Sequence, residues 1–278
     1  MNDDEPPNPK PPRAVLKFGG EVVADTAALV RVLDEVRALI ADGWSFVLVH
    51  GGGPQSNDHA AALGLEVQKV AGRRVTDGAT LEVAKQILAG AVNVDVVATA
   101  RARGVRAVGL AGVSLLTATR RAAEVVEGEP VDWGFVGEVA GVDTALVELL
   151  WADGRTPVLA PLAADSNGQA YNINADTVAS AIAAAVHADH LFLMTAAGGV
   201  LGDITDPDTR IPTLTPTEAR DAIATGVIAG GMIPKVADAL DQLERGIGVV
   251  HILGACSLRA AANDPGCVGT AIASKELR

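Results

Sequence analysis

Residues Ser45 to Pro54 read Ser-Phe-Val-Leu-Val-His-Gly-Gly-Gly-Pro, and no other stretch narrows the possible folds as much. Phe46 to Val49 is an unbroken run of apolar β-formers, the pattern of a strand covered on both faces in a parallel sheet. It stops at three glycines. Without Cβ atoms, Gly51, Gly52 and Gly53 let backbone N–H groups approach an anion, and a helix opening just beyond them turns its positive end to the same spot. A plain strand-to-helix turn is the competing reading, yet one glycine suffices for a turn and each further one costs conformational entropy.

The same unit recurs along the chain. Ala14 to Leu16 reads as a strand running into Lys17-Phe18-Gly19-Gly20, and Asp25 to Ala41 has helical spacing of Leu29, Val32, Leu33, Val36, Leu39 and Ile40. After the strand Phe46–His50 come a helix from Gln55 to Leu63, a long Ala/Val-rich helix from Leu81 to Arg103 and a strand from Val105 to Leu110. Val131 to Val142, with Gly134 and Gly137, predicts a β-hairpin on the rim. A helix from Thr144 to Asp153, a strand from Thr156 to Pro161 and a helix from about Asp176 to His187 follow.

A second block opens at His190. His190 to Met194 is a strand ending in Thr195-Ala196-Ala197-Gly198-Gly199; Pro216–Ala224 is a helix, Gly230-Gly231 a turn, Pro234–Arg245 a helix and Val249–Leu253 a strand. Alternation of this kind predicts an α/β fold, a three-layer α/β/α sandwich with a mostly parallel open sheet and ligands along the carboxyl ends of its strands. The expected divisions are a disordered tail over 1–12, an N-terminal lobe over 13–189 and a C-terminal lobe over 190–278.

Composition fits that architecture. Apolar residues make up 49% of the 278 but aromatics only 3%, so the core is Ala, Val, Leu and Ile, as suits helices laid on a sheet. The net charge of −12, with basic residues scattered singly or in pairs, argues against a nucleic-acid partner, which needs a clustered basic face. Cys256 and Cys267 form neither a disulfide framework nor a metal-ligand spacing. Met1 to Pro12 is acidic and proline-rich, unlike a signal peptide or membrane anchor, and no apolar run approaches the ~20 residues of a spanning helix. The expectation is a soluble, cytoplasmic protein without a membrane partner.

Six lysines stand against sixteen arginines, so lysines in special places stand out. Lys17 ends an apolar strand and precedes two glycines. A charge there costs several kcal/mol unless it meets an anion or snorkels to solvent. Lys235 follows Pro234, whose fixed φ suits the first helical position, which puts the ammonium in a first turn where it opposes the helix dipole unless a polyanion is present. Asp176, after the N-cap candidate Asn174, is well placed by helix-start chemistry alone. Asn172 is explained equally by turn chemistry. Arg74 offers a planar fork to a carboxylate, or else a surface ion pair. His50, with no Ser or Cys nucleophile beside it, reads as packing and hydrogen bonding. Neither a P-loop nor a Gly-x-Gly-x-x-Gly fingerprint occurs. Two glycine turns with two lysines still describe a phosphoryl-transfer site, which needs positioning and positive charge more than covalent help.

Six motifs occur in the order and spacing of the N-acetylglutamate kinases, a branch of the amino acid kinase family: Lys17-Phe18-Gly19-Gly20, His50-Gly51-Gly52-Gly53-Pro54, Arg74-Val75-Thr76-Asp77, Asp132 to Val139, Asn172 to Asp176 and Gly230 to Lys235. The chain resembles that family from about Ala14 to Ile272. The resemblance implies an N-terminal lobe that binds an acyl amino acid, N-acetyl-L-glutamate, and pairs two copies into a homodimer, and a C-terminal lobe that binds ATP. The product would be the γ-acyl phosphate, in the second step of arginine synthesis. It further implies that Lys17 and Lys235 stabilise the transferring phosphoryl, Asp176 holds both ammonium groups, and Gly20 and Gly52 offer backbone N–H groups. Gly52, Gly53, Arg74 and Asn172 would bind the acylated amino acid, Arg74 on its α-carboxylate. ATP would lie against Ala196, Ala197, Gly198, Gly199, Val200 and Leu201 and against Val227, Ile228 and Ala229, with Mg²⁺ carried by the phosphates and no protein ligand to metal.

The chain departs from the family's pattern in places. Ala196 stands where the family usually has an aspartate, Gly112-Val113-Ser114-Leu115 replaces Gly-Lys-Asp-Gly, and Asn93-Val94 replaces Asn-Lys. A relative acting on another acylated or carrier-bound amino acid, such as a 2-aminoadipate derivative, is the nearest alternative. A catalytically silent sensor is the other, against which the joint presence of Lys17, Lys235 and Asp176 speaks. Arginine-inhibited members carry an N-terminal helix and a glutamate shortly before the final Gly-Thr; the five prolines within Met1–Pro12 and the sequence Leu258 to Asp264, which has no glutamate, predict a dimer insensitive to arginine.

Overall fold

A computed structural model describes residues 11–196, 198–203, 206–230, 232–255 and 258–274. Side chains of its central strands alternate between two hydrophobic cores. In the strand Arg13–Phe18, Ala14, Leu16 and Phe18 join one core and Val15 the other. Phe46 and Leu48 part from Val47 and Val49 in Ser45–His50, and Phe192 and Met194 from Leu191 and Leu193 in His190–Met194. This is the period-two geometry of a strand with both faces covered. On one side lie the helices Thr26–Ala41, Asn93–Ala102 and Leu258–Asn263; on the other lie Ala175–Ala185, Pro216–Ala224 and Met232–Glu244. The result is the expected three-layer sandwich.

Eight strands form the sheet, in the spatial order Thr213–Leu214, Thr270–Ala273, Val249–Leu253, His190–Met194, Arg13–Phe18, Ser45–His50, Thr156–Ala160, Ala107–Ala111. Val249–Leu253 and Thr270–Ala273 pair antiparallel, and every other adjacent pair is parallel. The sheet runs unbroken past residue 190, because Arg13–Phe18 is hydrogen-bonded on one side to Ser45–His50 and on the other to His190–Met194. Of the expected tail, residues 1–10 lie outside the described residues, as do Cys256 and Gly231; Pro12 already accepts a hydrogen bond from the Ser45 N–H at 2.8 Å.

Three local expectations need correction. Val131–Val142 is not a hairpin: its first end belongs to Glu129–Val131, paired with Glu124–Val126, and its other end to Gly137–Val142, paired with Leu116–Arg120. Between them the backbone is held by Thr76, whose N–H donates to Trp133 O at 3.1 Å and whose carbonyl accepts from the Phe135 N–H at 2.7 Å, so the two arms diverge. Alternation reported strands but not their partners. The second correction is at Pro234. The helix begins at Met232, whose N–H bonds Ala229 O, so Pro234 is its third residue; a missing N–H is harmless there and Lys235 stays in the first turn.

The third concerns the apolar helix. Helical structure is continuous over 78–102, and by length and composition alone this stretch could cross a membrane. Its Leu81, Leu88, Val92, Val96 and Ala100 are buried in the protein, and Glu82, Lys85, Asp95 and Arg101 interrupt it. Its middle, Lys85–Val92, is π-helical, and that wider turn carries Leu88 towards the glycines at the end of Ser45–His50.

Candidate active site

Register alone brings the two glycine turns together. Phe18 is level with His50, so Gly19-Gly20 and Gly51-Gly52-Gly53 leave the sheet side by side, and the Gly51 N–H donates to Phe18 O at 2.8 Å. A Cβ on Gly20 would lie 2.8 Å from Pro54 Cδ and 3.1 Å from Gly52 Cα. Two backbones this close admit only glycine. Gln55, missed in the sequence, ties the turns by donating from Nε2 to Gly20 O at 2.7 Å.

His50 fixes the turn from below. Asn93 Nδ2 can only donate, so His50 Nε2 accepts from it at 3.0 Å and His50 Nδ1 carries the proton donated to Gly51 O at 2.8 Å. Burial holds this imidazole neutral, its pKa pushed down to about 4 against the opposing pull of that carbonyl. The expectation of packing and hydrogen bonding describes its place.

Lys17 Nζ lies 2.9 Å from Asp176 Oδ1, the lysine side chain 13% exposed and the aspartate 42%. The aspartate also starts its helix, as its N–H donates to the N-cap Asn174 Oδ1 at 2.8 Å. Asp176 thus both starts its helix and pairs with Lys17. Arg74 is half-buried, its guanidinium donating to Gly53 O and Asn57 Oδ1, and burial lowers its pKa. Asn172 donates from Nδ2 to Thr76 Oγ1 at 3.2 Å.

These groups share one cavity. Lys17, Gly20, Gly52, Gly53, Arg74, Asn172 and Asp176 all line a space of about 420 Å³. Lys235 lines a neighbouring one of about 360 Å³, which Asp176 also borders. Asp238, a second residue the sequence did not single out, borders both; burial first, then the charges of Asp176 and Asp241, push its carboxyl up, and Arg73 opposes them. A third space of about 330 Å³ is lined by Leu201, Val227 and Ala229 together with Gly202, Gly230 and Met232, at the start of the Lys235 helix. Its glycine-rich, largely apolar wall suits a flat heterocycle.

Other residues expected at a nucleotide sit differently. Val200 and Ile228 are fully buried in the core, so their side chains are packing residues, and the Val200 N–H donates to Thr270 Oγ1 at 2.8 Å. Gly198 and Gly199 both have positive φ, and a Cβ on Gly199 would lie 3.4 Å from the Gly269 backbone. Ala196 is an exposed turn residue after Met194; Ala197 lies outside the described residues. Among the described residues, no group of three or more His, Cys, Asp or Glu is placed to hold a metal ion.

Comparison with known proteins gives the family. A family model described as the amino acid kinase family matches residues 12–254. The chain belongs to the amino acid kinase family. Among curated members of this kinase family, the acetylglutamate kinase of Anaeromyxobacter dehalogenans is 48% identical over 267 residues, covering 93% of this chain and 98% of that one. The acetylglutamate kinase of Sorangium cellulosum is 46% identical over 266 residues, 93% of each chain. A solved protein from Streptococcus mutans superposes with a TM-score of 0.76 at 27% identity, over 95% of this chain and 99% of that one. The chain is thus an amino acid kinase in sequence and in fold.

Proposed function

We propose that the protein transfers the γ-phosphoryl group of ATP to the side-chain carboxylate of N-acetyl-L-glutamate, the acetylglutamate kinase reaction of arginine biosynthesis. The observation that carries it is the Lys17–Asp176 pair, set where two touching glycine turns leave the sheet. The name shared by relatives at 46–48% identity supports the choice of acceptor.

A carboxylate oxygen of the acceptor attacks the γ-phosphorus as the bond to the bridging oxygen breaks; ADP leaves and no proton moves. Charge on the transferring oxygens is what the site must offset. Lys17 approaches from the end of its strand and Lys235 from a helix start in the adjoining cavity, with Asp176 bordering both spaces. Backbone N–H groups of Gly20 and Gly52 add neutral donors. Arg74 takes the α-carboxylate, and Asn172, Gly52 and Gly53 hold the rest of the acyl amino acid. The space beside Leu201, Val227 and Ala229 takes the adenosine, Mg²⁺ arriving on the phosphates.

On this reading residues 13–189 hold the acid and residues 190–278 the nucleotide. The working form is a cytoplasmic homodimer joined through the first of these, where Val94 and Val113 stand 62% and 44% exposed. The test is a panel of acyl amino acids with ATP and Mg²⁺, trapping the acyl phosphate with hydroxylamine. Hydroxamate from N-acetyl-L-glutamate above all other acids is expected; preference for a 2-aminoadipate derivative, or no product at all, would replace this reading.

A further inference from the structure

The residues that border both the acid cavity and the Lys235 cavity are Arg121, Val136, Asn174, Asp176, Thr177 and Asp238. Arg121 is the sole cation among them. The part of the two substrates that must occupy this border is the phosphoryl group in transit, since it belongs to the donor before the reaction and to the acceptor after it. Two carboxylates, Asp176 and Asp238, face it there. Lys17 directly offsets Asp176. Arg73 opposes Asp238 from the acid cavity, so at the border itself Arg121 is the cation left to meet phosphoryl charge.

Arg121 is built for such a task. Its backbone N–H donates to Val136 O at 2.9 Å, its Nη2 lies 2.6 Å from Glu124 Oε1, and its guanidinium carbon sits 4.9 Å from the centre of the Trp133 ring. Trp133 is 1% exposed, donates from Nε1 to the same Glu124 oxygen at 3.0 Å, and has its backbone pinned by Thr76. Stacking and a fixed carboxylate hold the planar fork in one orientation, so little rotamer freedom remains to be lost when it meets a phosphate, and its other N–H groups remain to donate. The adjacent Arg120 is turned elsewhere, to Asp132 and Gly134 O. Resting on the phosphoryl-transfer reading above, we infer that Arg121 is a third phosphoryl-binding cation of this site, contacting the group as it passes between the two cavities.

The test compares the full-length wild type with Arg121→Gln, Arg121→Lys and the control Arg120→Gln. In the hydroxamate assay, Arg121→Gln is expected to lose about 100-fold in kcat with KM for the acid changed little, Arg121→Lys to recover only a small part, and Arg120→Gln to match wild type. Binding gives a second readout that does not need turnover. Tryptophan fluorescence is followed while Mg-ADP, N-acetyl-L-glutamate and aluminium fluoride, a mimic of the phosphoryl in transit, are added together. A signal lost in Trp133→Phe, and a mimic bound at least about 10-fold more weakly by Arg121→Gln than by wild type, support the inference. Wild-type turnover and mimic affinity in Arg121→Gln, or equal losses in Arg120→Gln, overturn it alone. A wild type that makes no hydroxamate from any acyl amino acid overturns the transfer reading itself, and this inference with it.

Discussion

Asn93 Nδ2 and His50 Nε2 meet at 3.0 Å in the interior, and this contact joins the long helix to the glycine turn that ends the second strand. The same amide nitrogen donates to Val158 O at 3.0 Å, and a Cβ on Gly109 would fall 2.2 Å from Asn93 Oδ1. Side chain, ring and neighbouring strand are cut to one another. Asn93→Leu would leave His50 Nε2 without a donor and is expected to cost about 1–3 kcal/mol, the usual penalty for an orphaned buried polar group. Urea denaturation of the variant measures it; an unchanged midpoint would mean the ring finds another partner.

Acid should weaken the protein through His50 and His251, which are buried, and His190, which is partly so. Burial lowers the pKa of His50 to about 4, that of His190 to about 4 and that of His251 to about 3, the last also through its neighbour His190, 2.9 Å away. In the unfolded chain they titrate near 6.5. Between pH 6.5 and about 4 the unfolded state takes up protons that the folded state refuses, so stability is complete above pH 6.5 and falls as pH drops through that window. A gap from 6.5 to about 4 corresponds to about 3 kcal/mol for one histidine. Denaturation midpoints at pH 7.5 and pH 5 should differ clearly. Equal midpoints would show that these rings charge without unfolding the protein.

If the two lysines offset charge that develops only in transfer, Lys17→Ala and Lys235→Ala should each lower kcat by about 100-fold or more while KM for the acid changes little. Asp176→Asn, which removes the partner at 2.9 Å from Lys17 but keeps a helix-start side chain, should lower kcat with little loss of stability. Steady-state kinetics beside thermal melts separate the two effects. A lysine variant with wild-type turnover would remove that residue from the mechanism.

Much of the fold is legible in the sequence. Strands such as Ser45–His50 and His190–Met194 announce themselves because burial on both faces leaves an apolar run, and the glycine turns that follow Arg13–Phe18 and Ser45–His50 come to line one cavity. What escaped the sequence depends on distant partners. Leu116–Arg120 alternates with threonine and arginine and gains its identity only by pairing with Gly137–Val142; Thr270–Ala273 is four residues long and forms beside Val249–Leu253. Arg121 looked like one of many scattered basic residues, since nothing local says that Trp133 lies under it. Val200 and Ile228 illustrate the converse: proximity in sequence to a nucleotide motif did not prevent their side chains from packing into the core.

Arg74 should govern the acid and spare the nucleotide. It lines the same cavity as Asn172 and Gly53, away from the space beside Val227 and Ala229. A carboxylate bound alike in ground and transition states gives uniform binding, so Arg74→Ala is expected to raise KM for the acid by about 10-fold or more with KM for ATP nearly unchanged. Arg74→Lys should rescue poorly, because an ammonium cannot reproduce a two-pronged contact. Equal rises for both substrates would indicate a structural role through its bonds to Gly53 and Asn57.

The glycines of the two turns should answer differently to one added methyl. On Gly20 a Cβ meets Pro54 Cδ at 2.8 Å and the Gly52 backbone at 3.1 Å, neighbours that belong to the opposing turn and have little room to yield. Gly20→Ala should therefore push the turns apart, lowering both melting temperature and kcat. On Gly53 a Cβ meets nothing within 4 Å, and the residue opens the helix Gly53–Ala62, where alanine is the better helix former. Gly53→Ala should keep or slightly raise stability, while its methyl projects into the cavity it lines and raises KM for the acid. Melting curves and kinetics on the two variants, taken together, decide the matter: a Gly20 variant as stable and active as wild type would mean the turns are not in contact in solution, and a Gly53 variant with unaltered KM would take that residue out of the acid's binding site.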